Sequence, residues 1–292
     1  MRMRKTIGAL AAAFLLLMAV CGYLIHISYH KLTVRGYELP VSGLEKPVKF
    51  AVLADLHGNT FGEENARLLA AVQEAAPDGI LLAGDMISRH AKAYGDVIAL
   101  VEQLARIAPV YSSIGNHEAD YIALHGDAFL REMEAVGAVL LDGGYRDVRL
   151  DGQTVRIGGL FAYPFAQDGY DSCRKETMDP GLYDFLTDFT DTDLPKVMIA
   201  HRPEGYILGE SSVTWAIDAV VSGHYHGGQI VLPFLGGLWA AEQGLFPEYL
   251  HGFYEKDKLH LLITSGLGSG SRLIPRFNNP PELAVLTLVP ET

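Results

Sequence analysis

The chain has 292 residues, 49% hydrophobic and 20% charged, with 31 Gly and 14 Pro. That excludes a disordered, collagen-like or coiled-coil protein and leaves ample apolar material for a core. Lys and Arg number 23 against 35 Asp and Glu, a formal charge of −12. So acidic a surface repels phosphate backbones at long range; no nucleic-acid partner is expected, and a phosphorylated substrate needs a local cation or bound metal. Two cysteines, Cys21 and Cys173, make no disulfide framework.

From Ile7 to Ile25 there is no charged residue. At about 1.5 Å per residue this run makes a helix of about 28 Å, close to the ~30 Å hydrocarbon core of a bilayer. Arg2, Arg4 and Lys5 precede it, and Lys31 and Arg35 follow. With the α-amine counted, the N-terminal flank is the more positive and is expected to stay in the cytoplasm. The run lacks the small-residue pair of a signal-peptide cleavage site, and Val20 is bulky where a lipoprotein signal before Cys21 wants a small residue. A buried globular helix is the remaining alternative. The expected organisation is a single-pass anchor in the cell membrane over 1–29, a connector over 30–46 containing Pro40, and one extracytoplasmic domain over 47–292.

Residues 48–54 read as a buried strand and 63–75 as a helix, with Leu68, Leu69 and Val72 on one side. Strand 80–83, helix 96–107, strand 110–114 and helix 128–136, ended by Gly137, follow. Such alternation predicts sheets covered by helices. Short strands at 139–141, 147–150 and 155–160, separated by Asp-Gly and Gly-Gly turns, suggest hairpins. A helix over 179–189 leads to a strand at 196–200, and later strands fall at 219–222, 229–231, 259–264 and 283–288. Among these later strands, 233–252 is a long loop rich in glycine and aromatic residues.

Five of these strands run into polar clusters: Asp55-Leu56-His57, Gly84-Asp85, Gly115-Asn116-His117-Glu118, His201, and Gly223-His224-Tyr225-His226. Sites in α/β sheets form beyond the carboxyl ends of strands, so the five clusters should converge. The residue types are metal ligands, and Asp with His suits borderline divalent ions such as Mn, Fe or Zn. Asp55 and His57, two apart in extended chain, would point to one face. Asp85 has two oxygens and can bridge two ions; Asn116, His201, His224 and His226 complete a set of seven. Glycines before Asp85, Asn116 and His224 allow sharp turns. Paired cations would polarise a phosphoryl oxygen and make hydroxide available near neutral pH. Singly, each motif is more often a strand-to-loop turn or a hydrogen-bonded core histidine; it is the ordered set of five that points to chemistry.

That ordered set resembles the calcineurin-like metallophosphoesterase superfamily over residues 47–290. Gly223-His224-Tyr225-His226-Gly227-Gly228-Gln229, Gly266-Leu267-Gly268 and Arg276-Phe277-Asn278-Asn279-Pro280-Pro281-Glu282 are similar to its membrane-anchored bacterial branch of YkuE- and YaeI-type phosphodiesterases. The resemblance implies a four-layer α/β/β/α sandwich of two mixed sheets, with two divalent metal ions. Asp55, His57 and His226 would hold the first and Asn116, His201 and His224 the second, with Asp85 bridging. His117 would face the scissile phosphate, and a metal-bridging hydroxide would displace the alcohol in line. Many relatives carry an acidic residue three positions after the bridging Asp to orient this histidine. Here Ser88 stands there, followed by Arg89, which leaves His117 either less basic or reliant on Glu118.

Arg202 is a candidate phosphate contact, with pairing to Glu204 as the alternative; Arg272 and Arg276 are candidates for lining the cleft, with a solvated surface as theirs. His90, His125, His251 and His260 read as surface or structural. The aromatic loop reads as core packing, or else as a segment lying on the bilayer and admitting lipid-like phosphoesters. The expected function is cleavage of a small-molecule or lipid-like phosphoester, a phosphodiester before a monoester. The competing readings are a binding protein that kept the fold and a nuclease or protein phosphatase of the same superfamily.

Overall fold

The computed structural model describes residues 2–166, 172–240, 242–270 and 274–291. Helix α1 (Arg2–His30) leads into β1 (Thr33–Val41) and β2 (Val48–Leu53). Then come α2 (Ala66–Ala75), β3 (Gly79–Ala83), α3 (Gly95–Ala105), β4 (Val110–Ser113), α4 (Asn116–His125), α5 (Ala128–Ala135) and β5 (Ala138–Leu140). The second half holds β6 (Gly144–Leu150), β7 (Gln153–Gly159), α6 (Pro180–Thr190), β8 (Lys196–Ile199), α7 (Glu204–Ile207), α8 (Ser211–Thr214) and β9 (Ile217–Ser222). Four two-residue strands follow, β10 (Val231–Leu232), β11 (Gly236–Gly237), β12 (Trp239–Ala240) and β13 (Gly244–Leu245). The chain closes with β14 (Gly252–Lys256), β15 (Leu259–Ile263) and β16 (Glu282–Pro290).

Two six-stranded mixed sheets result, ordered β1-β16-β2-β3-β4-β5 and β14-β15-β9-β8-β7-β6. Alternation along the strands sorts their side chains between layers. Phe50, Val52 and Ala54 face the second sheet, where Val197, Ile199, Ala219 and Val221 meet them in a common core. Ala51 and Leu53 point the other way, against Leu68, Val72, Leu100 and Phe129 of α2, α3 and α5. On the far side, Met198, Val220, Leu261 and Ile263 pack with Leu186 and Phe189 of α6. Helices outside, two sheets inside: the four-layer arrangement is the expected one.

Three local expectations differ from the structure. Residues 30–46 are not a bare connector, since β1 pairs in parallel with β16 over nine residues, Thr33 with Glu282 through Val41 with Pro290. Only Leu39 and Val41 of that strand are buried, so its sequence looks polar, and Pro40 is tolerated because β1 is an edge. Helix α4 begins at Asn116 itself; its residues lack an apolar stripe, and only Glu118 and Tyr121 are buried. The loop at 233–252 contains small hairpins, β10 with β11 and β12 with β13; Ala240, Tyr249 and Leu250 pack on the core as expected, whereas Phe234, Leu235, Trp239, Leu245 and Phe246 do not.

Among the described residues one helix, Lys5–His30 within α1, is long and apolar enough to cross a membrane, by length and composition, which a signal sequence also satisfies. The side chains of Arg2 and Arg4 lie outside the described residues, as does Arg272.

Candidate metal centre

Strands β2, β3 and β4 are parallel neighbours, as are β8 and β9. Their carboxyl ends therefore line up, and the five clusters meet across the two sheets. Ligand-type atoms of Asp55, His57 and His226 lie within 4.8 Å of one another, and so do those of Asp55, Asp85 and His201, and of His57, Asp85 and His117. His201 Nε2 stands 3.2 Å from Asp85 Oδ2 and 3.2 Å from Asn116 Oδ1. His226 Nε2 is 3.7 Å from Asp55 Oδ1, and His57 Nε2 is 3.7 Å from Asp85 Oδ2. The His224 ring sits 5.2 Å from that of His201, with its Nε2 turned to Glu204 Oε1 at 3.3 Å.

The backbone under these side chains is unusual. Asp55, His57, Asp85, His224 and His226 all have left-handed φ, between 48° and 72°. Such conformations cost roughly 1–3 kcal/mol each in non-glycine residues and persist where surrounding structure enforces them. The segment from Asp55 to His57 is thus tightly turned, not extended as its spacing suggested. The glycines also act differently. Only Gly84 has positive φ, +79°, whereas Gly115 and Gly223 make room. A Cβ on Gly115 would stand 2.2 Å from Asp85 Oδ1, and one on Gly223 2.4 Å from Asp55 Oδ2.

Electrostatics at the site pull against burial. Burial favours neutral imidazole and lowers His57 and His226 to about 3, which leaves their ring nitrogens free to donate lone pairs. His201 goes the other way: burial opposes its charge, but the Asp85 carboxylate overcomes this and raises it to about 10. Burial raises Asp55. Burial also opposes charge on Asp85, yet His201 and His57 hold it well below the usual carboxylate range. A proton on His201 thus neutralises part of a buried acidic centre, a role a divalent cation can take over. His57 Nδ1 and Nε2 and His226 Nδ1 are buried without a hydrogen-bond partner among the described residues. Buried, unbonded nitrogens beside two carboxylates backed by glycines fit a metal centre in both chemistry and space.

Glu118 is not the support for His117 that the sequence suggested. It caps α4 and accepts from the backbone N–H groups of Asp85 at 2.7 Å, Gly115 at 2.9 Å and Ile87 at 3.0 Å. Burial and the nearby Asp85 push its carboxyl to about 7. Arg89 supports His117 instead. Its backbone N–H donates to His117 Nδ1 at 3.1 Å, and its guanidinium lies 3.4 Å from Nε2 while pairing with Asp120 at 2.8 Å. With Nδ1 accepting at the shorter distance, the proton of the neutral ring is assigned to Nε2, and the Arg89 guanidinium at 3.4 Å is then a neighbouring cation, not a hydrogen-bond partner. Burial and the Arg89 cation together keep His117 below its ordinary pKa despite Asp85.

Arg202 is paired: its Nη2 meets Glu242 at 2.8 Å, its Nε lies 3.7 Å from Glu204, and it stacks over the Tyr163 ring. Arg276 lines no cleft and reaches no solvent. It is fully buried, donating to the carbonyls of Ser265 at 2.8 Å, Gly268 at 2.7 Å and Asn279 at 3.1 Å, because the loop behind Asp55 leaves those acceptors unmatched. His251 is structural, 2.8 Å from Glu282. Sequence reasoning missed Glu204 as a partner of the ligand set, a buried carboxylate three residues after His201. An acid that close to a strand-end ligand is the available signal.

A cleft of about 360 Å³ opens over the centre, lined by His117, His224, His226, Gln229, Trp239 and Ile274 among others. The chain belongs to the calcineurin-like phosphoesterase family, whose model matches residues 48–228. It is similar to the uncharacterized metallophosphoesterase YkuE of Bacillus subtilis, 25% identical over 96% of this chain and 94% of that protein. It is also similar to phosphodiesterase YaeI of Escherichia coli, 26% identical over 83% of each. Among solved structures, TT1561 of Thermus thermophilus aligns over 76% of this chain and 91% of its own at 13% identity and a TM-score of 0.46. The family makes the chain a phosphoester hydrolase with candidate ligands for divalent metal.

Proposed function

We propose that the chain hydrolyses phosphodiesters of lipid or cell-envelope chemistry through a centre of two divalent ions drawn from Mn, Zn and Fe, anchored by α1 with the catalytic part outside the cytoplasm. Asp55, His57 and His226 hold one ion and Asn116, His201 and His224 the other, with Asp85 between them. Bound divalent cations supply Lewis acidity toward phosphoryl oxygen and a low pKa for water. The chain positions the rest. Glu118 fixes the turn that carries Asp85, and the backbone N–H of Arg89 fixes the His117 ring so that Nε2–H is directed as a hydrogen-bond donor to the phosphoryl group or its leaving oxygen. The observation that carries the reading is the set of buried, unbonded histidine nitrogens around Asp55 and Asp85.

Two features support an uncleaved anchor. Ser28 Oγ accepts from the Asn279 N–H at 2.9 Å, and Tyr29 Oη accepts from the Arg276 N–H at 3.0 Å, so the end of α1 completes the hydrogen bonding of the loop behind the site. The nuclease reading lacks a basic groove to track a phosphate backbone, since the chain is acidic and both Arg202 and Arg276 are engaged.

The test uses the full chain, stripped of metal by chelator, with Mn, Zn, Fe or Mg restored one at a time. A membrane-impermeant aryl phosphodiester and its monoester serve as substrates, for the purified protein and for intact cells. Expected is revival by at least one of Mn, Zn and Fe, faster turnover of the diester, and hydrolysis by intact cells. Revival by none of the ions contradicts the reading, and activity that appears only on cell lysis contradicts the orientation.

A further inference from the structure

The mouth of the cleft is built on a platform that ester hydrolysis does not itself require. Backbone hydrogen bonds join its layers. The loop held by Ser28 and Tyr29 continues to Phe277, whose carbonyl accepts from the Val231 N–H at 2.9 Å. Leu238 N–H donates to Ile230 O at 2.8 Å, and Phe246 N–H donates to Leu238 O at 3.0 Å. The last turns of α1 are thereby tied, strand by strand, to the hairpins β10–β11 and β12–β13. Those hairpins turn large apolar side chains to water: Phe234 is wholly exposed, and Leu235, Trp239, Leu245 and Phe246 are each more than half exposed. Such a group on one surface marks an interaction site. Trp239 also lines the cleft beside His117, His224 and His226.

What covers this surface follows from α1. Its 26 apolar-span residues, Lys5–His30, measure about 39 Å, longer than the ~30 Å hydrocarbon core, so the final turns lie at headgroup depth. On one face of those turns Cys21, Leu24 and Ile27 are partly covered and Ser28 is buried, so the globular part rises beside the helix to that depth. Charge does not bring it there, because the chain carries −12. Apolar insertion into the headgroup region does.

We propose that the two hairpins and the last turns of α1 form one bilayer-contacting face, which holds the cleft mouth at the membrane surface so that the ester cleaved is one carried by a lipid. The lipid substrate rests on the catalytic function proposed above; the docking face rests only on the anchoring by α1 proposed there.

Trp239 reports on this directly, because the only other tryptophan, Trp215, is buried. Full-length Trp215→Phe protein is reconstituted in phosphatidylcholine–phosphatidylglycerol vesicles. Its emission should shift to the blue and fall by about half when the lipids carry bromine high on their acyl chains, with little quenching by aqueous acrylamide. Quenching by acrylamide with no effect of brominated lipid overturns the docking face. The double variant Phe234→Asp, Leu235→Asp should hydrolyse a phosphodiester embedded in the same vesicles about tenfold more slowly, with unchanged turnover of a water-soluble aryl phosphodiester. Hydrolysis of the embedded ester at the wild-type rate overturns lipid delivery. If the wild type cleaves neither ester, the proposed function fails, and Trp239 quenching still decides the docking face.

Discussion

Glu204 illustrates how a single side chain can act on the proposed centre through a neighbour, since it contacts His224 and is grouped with His224 and Glu242. It is fully buried, and burial alone would raise its pKa. The adjacent His224 overcomes this and holds the carboxyl below the usual range. The contact at 3.3 Å engages His224 Nε2, so an ion held by His224 would take the other ring nitrogen, Nδ1. Carboxylate partners of this kind fix ligand orientation and raise ligand basicity, and their loss typically costs about 10–100-fold in metal affinity. The Glu204→Gln variant should therefore bind its more weakly held ion about 10–100-fold less tightly, measured by competition with a chromophoric chelator. Unchanged affinity for both ions contradicts the role. Arg202, beside it, pairs with Glu242 and Glu204 rather than standing free in the cleft.

Among elements, β16 does the most to unite the chain. It lies between β1 and β2, parallel to the first and antiparallel to the second. Its first residue, Glu282, is buried and accepts from Tyr37 Oη at 2.7 Å and Ser265 N–H at 3.1 Å, with His251 Nε2 at 2.8 Å. Burial works against its charge, but these partners, His251 foremost, hold its pKa below the ordinary 4.5. A carboxyl depressed in the folded state stabilises the protein above its unfolded pKa, and that contribution is lost as pH falls through the folded value. The loss therefore begins below about pH 4.5. Glu282→Gln should lower stability at pH 7 by about 1–3 kcal/mol and flatten the fall in stability below about pH 4.5, measured by chemical denaturation across pH. A slope identical to wild type contradicts this.

These elements also show what a sequence conveys. A strand such as β3, buried along its whole length, is a continuous apolar run and reads plainly, as do helices with an apolar stripe such as α3. Strand β1 did not, because an edge strand buries two residues and its partner lies far away, at the other end of the chain. Helix α4 did not, because its start is set by Glu118 accepting three backbone N–H groups, a tertiary arrangement with no local pattern. The site was legible as residue types at strand ends. Its left-handed backbone, the Arg89 contact to His117 and the Glu204 contact to His224 were not, since each depends on segments meeting across the fold.

At the scale of the molecule, two sheets packed face to face share one core, and each carries helices on its outer side. That arrangement aligns five strand ends along one edge and concentrates two carboxylates with several buried imidazoles there. Protein interiors do not retain such groups uncompensated, and cations compensate them. The end of α1 is bonded to the loop behind the same edge, so α1 and the site form one assembly. The most direct measurement is anomalous diffraction from the protein crystallised with Mn or Zn, recorded on both sides of the metal's absorption edge. The account predicts two peaks, one among Asp55, His57 and His226 and one among Asn116, His201 and His224, with Asp85 touching both. A single peak elsewhere, or none at saturating metal, contradicts it.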